Sequence, residues 1–193
     1  MTEIRFKAYA GDCLVEGFLD LAMGVRMTER LNEATVVSIR RAVLRALDDG
    51  RVVAAGDIEL GVDELLIVEP PAADAPGAHR IHTRSVPVEM HVGPYKLAGR
   101  LHGPPTGDPV LALSRRRTMI PVTAASVIYS MAGEEVTVER DVVIVNRDYM
   151  HAIQRPTYER GRIDELGLAP VDPRARDLTD ELYQDPGGAS HSR

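Results

Sequence analysis

The sequence predicts a mainly β protein made of two homologous small barrels or rolls, and three observations carry that prediction. The first is self-similarity: Gly11, Gly17 and Leu19 recur at one constant spacing as Gly93, Gly99 and Leu101. Val37, Ile39 and Gly50 recur slightly further on as Ile120, Val122 and Gly133, and Ile58, Leu60 and Asp63 as Val143, Val145 and Asp148. The second is period-two alternation around those glycines, which marks strands with one buried face. The third is composition: apolar residues make up 44% of the 193-residue chain, with two Phe, six Tyr and no Trp. Val, Leu, Ile and Ala must therefore do most of the core filling. Each repeat is small enough to be marginal alone and to need its twin.

The first repeat spans 1–70 and opens with Ile4, Phe6 and Ala8, turns at Gly11-Asp12, and returns through Cys13, Val15, Gly17 and Leu19. The second, 85–156, repeats the hairpin as Val86, Val88, Met90 and Val92, a Gly93-Pro94 turn, and Tyr95, Leu97, Gly99 and Leu101. Glycine in mid-strand weakens pairing unless a bend, bulge or close backbone approach requires it, so Gly17 and Gly99 predict strongly bent strands. Gly11 and Gly93 supply the turns. A short helix follows each hairpin: Thr28 is placed to cap Glu29-Arg30-Leu31-Asn32, and Asp108 to cap a turn beginning at Pro109. Helices this short stand only by packing on a sheet, and closing a barrel end would do that.

Residues 38–47, Ser-Ile-Arg-Arg-Ala-Val-Leu-Arg-Ala-Leu, pose a conflict. Their apolar spacing and the following Gly50 read as a helix, whereas the duplication assigns a strand; the duplication is preferred, since tertiary context overrides propensity in short segments. In the second repeat Met119–Val122, Ser126–Tyr129 and Val136–Val138 read as strands, and Val142–Val145, apolar on both faces, as a central one. The repeats are expected to pack about a pseudo-twofold. Between them 71–84 is a linker, rich in Pro and Ala, and 157–193 reads as a mostly flexible tail.

The net charge of −6 disfavours a general nucleic-acid binder, and scarce aromatics leave few stacking platforms. Cys13 is the one cysteine, so no internal disulfide forms, and a small buried thiol is expected there. No apolar run is long enough to span a membrane. A cytoplasmic protein is expected. His79, His82, His91 and His102 fall close together but lack a recognised ligand spacing. No Gly-x-Ser-x-Gly, phosphate loop or dinucleotide fingerprint occurs. The expected class is therefore a non-enzymatic interaction or assembly module with no cofactor and no metal, acting on a protein partner or on itself.

The alternative rests on Arg115-Arg116-Arg117 and Arg147, cations that one barrel mouth could offer to a phosphate. Leu97-Ala98-Gly99-Arg100-Leu101, followed by Val143 to Ile153 with Asn146-Arg147-Asp148 inside it, resembles the two sequence blocks of Sm-like small barrels. Ser114-Arg115-Arg116-Arg117 is similar to the cationic stretch of PilZ domains, which bind a cyclic dinucleotide. These resemblances imply RNA or nucleotide binding. Gly-x-Leu, then Arg30-Leu31-Asn32, then Val145-Asn146-Arg147 also resembles a little-characterised bacterial family of small, sometimes duplicated β-domains, which implies the fold and no activity.

Overall fold

A computed structural model describes residues 1–71 and 83–156. Most of the expected linker and the whole expected tail lie outside the described residues. The chain is mainly β. Its strands are β1 (Thr2–Tyr9), β2 (Cys13–Leu21), β3 (Val36–Ala46), β4 (Val52–Gly61) and β5 (Ile67–Glu69), then β6 (Arg84–Val92), β7 (Tyr95–Gly103), β8 (Met119–Met131), β9 (Glu134–Asn146) and β10 (Met150–Gln154). Among the described residues one α-helix, α1 (Met27–Glu33), follows β2.

All ten strands join in one sheet, in the order β10-β6-β7-β8-β9-β5-β1-β2-β3-β4. The expectation of two small barrels or rolls is met in its β content, while no pairing among the described residues closes the sheet into a barrel. Each half nevertheless has one order, with its fifth strand beside its first and then the second, third and fourth. The registers match as well. Phe6 lies opposite Gly17 as Val88 lies opposite Gly99, and Ile39 opposite Ile58 as Val122 opposite Val143. The halves meet through unlike strands, β5 of the first and β9 of the second. A twofold would pair like with like, so the expected pseudo-twofold gives way to a head-to-tail junction.

Residues 36–46 form a strand, and a bulge explains their helical appearance. Arg41 has φ 51°, and the pairing with β2 and with β4 shifts there. Val37 and Ile39 are buried before the bulge and Ala42 after it, so one inserted residue converts a period of two into an apparent three-residue step. β8 does the same at Ala124, φ 46°, between buried Val122 and Ala125. Across from each bulge sits a mid-strand glycine. A Cβ on Gly17 would lie 2.6 Å from Ile39 Cγ2 and 2.8 Å from the Arg40 carbonyl oxygen; on Gly99, 2.6 Å from Val122 Cγ1 and 3.1 Å from the Thr123 oxygen. Glycine and bulge are one device, made twice.

The helices of the two halves differ. α1 starts two residues earlier than a Thr28 cap requires, with Arg26 at the N-cap and its N–H donating to Glu29 Oε2 at 3.3 Å. Met27 and Leu31 bury its inner face. In the second half Asp108 does cap, accepting from the Val110 N–H at 3.0 Å, but Pro109 to Arg115 makes only turns and a short 3-10 segment.

Two apolar clusters lie among the described residues, and each borrows from the other half. Phe6, Val15, Leu19, Leu31 and Ile39 pack with Met119 and Ile144 of the second half. Met90, Leu97, Leu101 and Val122 pack with Tyr9, Leu14, Leu66 and Ile67 of the first. β9 is central as its two-sided apolar run requires: Ile144 faces one cluster, Val143 and Val145 the other.

Candidate functional site

The junction between the halves is held by backbone and side-chain hydrogen bonds. Ile67 pairs with Val145 and Val68 with Ile144, and the Asn146 N–H extends the ladder to the Leu66 carbonyl at 2.8 Å. The Asn146 side chain, 1% exposed, donates to the Leu65 carbonyl and accepts from the Asp148 N–H. Asn32 of α1 reaches β8, donating to the Met119 carbonyl and accepting from the Met119 N–H, both at 2.9 Å. Glu69 accepts from the Tyr9 hydroxyl at 2.6 Å and from Arg140 Nε at 2.7 Å. Burial, reinforced by that carboxylate, pushes the Tyr9 hydroxyl far above its ordinary pKa, and the hydrogen bond to Glu69 holds Arg140 above its own.

Three of the six tyrosines converge here. Tyr9, Tyr95 and Tyr129 meet edge to face, with ring centroids 5.4, 5.8 and 5.7 Å apart, and the Tyr95 hydroxyl donates to the Ala10 carbonyl at 2.6 Å. Aromatic contacts of this geometry add to area burial. The sequence contains no periodic signal for this cluster, nor for Asn32, Asn146 and the Glu69–Arg140 pair; a buried-strand neighbourhood and a scarce residue type are the only hints.

The same sheet leaves two edges open among the described residues, along β4 and β10. β4 exposes Val52 and Val53, 52% and 45% accessible. Both edges carry local distortions, Gly56 at φ 74° on β4 and Ala152 at φ 51° on β10, the kind of bulge that limits indiscriminate strand addition.

The four arginines singled out from the sequence have divided tasks. Arg147 Nη1 donates to the carbonyls of Leu113 and Ser114 at 3.3 Å and to that of Arg116, so it closes the 3-10 turn beneath it. Arg116, half-buried, donates to the His102 carbonyl, and burial lowers its pKa. Arg115 is exposed, and exposed Arg117 lines a shallow hollow with Thr28, Glu29, Asn32 and Glu33 of α1. Of the glycines, Gly93 turns its hairpin at φ 56°, and a Cβ there would lie 2.3 Å from Leu66 Cδ2, whereas a Cβ on Gly11 meets nothing within 4 Å.

Several other polar groups are paired within the chain. A groove of about 500 Å³ beside β1 and β2 is lined by Arg5, Lys7, Arg41 and Arg140 together with Glu16 and Glu69. Lys7 pairs with both carboxylates, Arg140 with Glu69, and Arg41 with Glu3 while lying 4.0 Å over the Phe18 ring. Burial lifts the Cys13 thiol to about 11. His102 Nε2 sits 2.7 Å from Thr123 Oγ1, and burial, then Arg100 and Arg116, lower its pKa. His91 stacks on His151, while His79 and His82 lie outside the described residues. No helix among the described residues is long and apolar enough to cross a membrane. What the arrangement offers to a partner is backbone donors and acceptors along two open edges. Comparison with family models, with curated proteins and with solved structures gives no match for this chain.

Proposed function

We propose that the protein is a non-catalytic cytoplasmic interaction and assembly module, built from a duplicated small β roll and working through its open sheet edges. One observation carries this reading: the sheet already uses strand addition to join its own halves, β5 to β9, and it ends on both sides in strands with no neighbour among the described residues. Edge addition supplies main-chain hydrogen bonds for affinity and side-chain pockets for choice of partner. The engagement of Arg116 and Arg147 by carbonyls takes two of the four candidate cations out of reach of a phosphate and favours a polypeptide over a nucleic acid. A chain with one cysteine forms no internal disulfide, which suits a reducing compartment.

The test is a photo-cross-linking residue in place of Val53, on the β4 edge, in the full chain inside its host cell. A cross-linked polypeptide is the expected product. Cross-links to nucleic acid alone, or no cross-link at all, would refute the reading.

A further inference from the structure

The head-to-tail junction has a geometric consequence. Because a fourth strand of one half pairs with a fifth strand of the other, the free ends of the sheet are again a fourth strand, β4, and a fifth strand, β10. A surface that joins unlike patches leaves its complement exposed at each end, and adding copies then propagates a ring or a filament. We propose that the partner at these edges is a second copy of this chain, with β4 of one molecule adding antiparallel to β10 of the next and repeating the β9–β5 junction. The proposal rests on the edge-addition reading above.

The register follows from the internal junction. Extending Ile67–Val145 and Val68–Ile144 by one residue sets Glu69 opposite Val143. Ile58 holds the place of Val143, opposite Ile39 rather than Val122, and Gln154 holds the place of Glu69, opposite Glu89 rather than Lys7. Between molecules Ile58 therefore faces Gln154, and Asp57 faces Arg155. The outward backbone groups are also fixed. Pro121, which has no N–H, lies opposite Ile144, so Ile144 turns its own N–H away from β8 and towards β5. Glu59, opposite Ser38, occupies the matching place in β4 and turns its N–H outward.

Charge separates the two junctions. Val142 and Ile144 of the internal one are replaced on β4 by the exposed carboxylates Asp57 and Glu59, and the facing edge brings exposed Arg155, which in the single molecule pairs with Asp108. The internal contact is apolar and permanent; the outer one is polar, and its strength falls as salt rises.

The experiment measures the mass of the purified full chain by light scattering and native mass spectrometry. Glu59→Pro removes one outward N–H without touching the β3 ladder, and Arg155→Glu sets like charges opposite Asp57. Wild type should form oligomers that dissociate in high salt, and each variant alone should be a monomer with unchanged circular dichroism. Mixed in equal amounts the two variants should form dimers of one copy each, because each keeps the edge the other lacks. Glu59→Arg replaces the proline variant if the latter does not fold. Wild type that is monomeric throughout, oligomers indifferent to both changes, or a mixture that stays monomeric would overturn the proposal. A monomer whose Val53 cross-links to a different polypeptide in cells would overturn it while leaving the assembly-module reading intact.

Discussion

At the scale of single residues, the mid-strand glycines are the clearest case of chemistry that the sequence itself makes legible. Gly17 and Gly99 sit where a side chain would strike the bulge across from them, with backbone oxygen at 2.8 and 3.1 Å. Gly17→Ala is expected to destabilise by about 1–3 kcal/mol, the usual cost of overpacking, with Gly99→Ala smaller because its neighbours leave more room. Gly11→Ala, with open space around it, should melt like the parent. Calorimetry on the three variants checks the order. The tyrosine cluster is not legible in the same way, because Tyr9, Tyr95 and Tyr129 meet only after the halves join. His102 gives a pH prediction. Its folded pKa lies below the unfolded value of 6.5, so the unfolded chain binds the extra proton first. Stability is then fully present above pH 6.5 and declines as pH falls towards the folded pKa. His102→Gln should flatten that part of the stability curve, measured by urea titration at several pH values.

At the scale of elements, β3 shows why local spacing misleads and duplication corrects it. A bulge at Arg41 adds one residue to a strand, and the resulting apolar steps imitate a helix; the second copy, where Ala124 does the same in a stretch of unmistakable strand, resolves the ambiguity. The helix expected after β7 is shorter than its start signals suggest. Asp108 and Pro109 begin a helical turn, yet the chain stops at a 3-10 segment whose carbonyls Arg147 then occupies. The connection from β9 to β10 depends on Asn146, whose amide satisfies the Leu65 carbonyl and the Asp148 N–H inside the protein. Asn146→Ala leaves those groups unpaired and should cost about 1–3 kcal/mol, read from thermal unfolding.

At the scale of the whole molecule, duplication is legible in the sequence but the manner of joining is not. Sequence similarity places equivalent residues on equivalent strands and is silent on which edges meet, since β5 and β9 are apolar for reasons that a twofold or a head-to-tail contact would both satisfy. The shared clusters predict that neither half keeps its structure alone. Cleaving the connection between Ala73 and Gly77 should leave a nicked protein that elutes as one species and unfolds in one transition; two separate peaks or two transitions would contradict the shared core. The same sheet order also fixes how the protein responds to force. β10 is five residues long, bulged, and paired to β6 alone, at the end of the described chain. Tension applied at the C-terminus loads its hydrogen bonds one after another, as a zipper is opened, whereas the long β8–β9 pair deeper in the sheet lies behind Asn146 and the tyrosines. An optical trap pulling from that end should record a small low-force rip first and the main rupture later, so a protein-unfolding motor that grips the C-terminus would strip one edge from the sheet before it met real resistance.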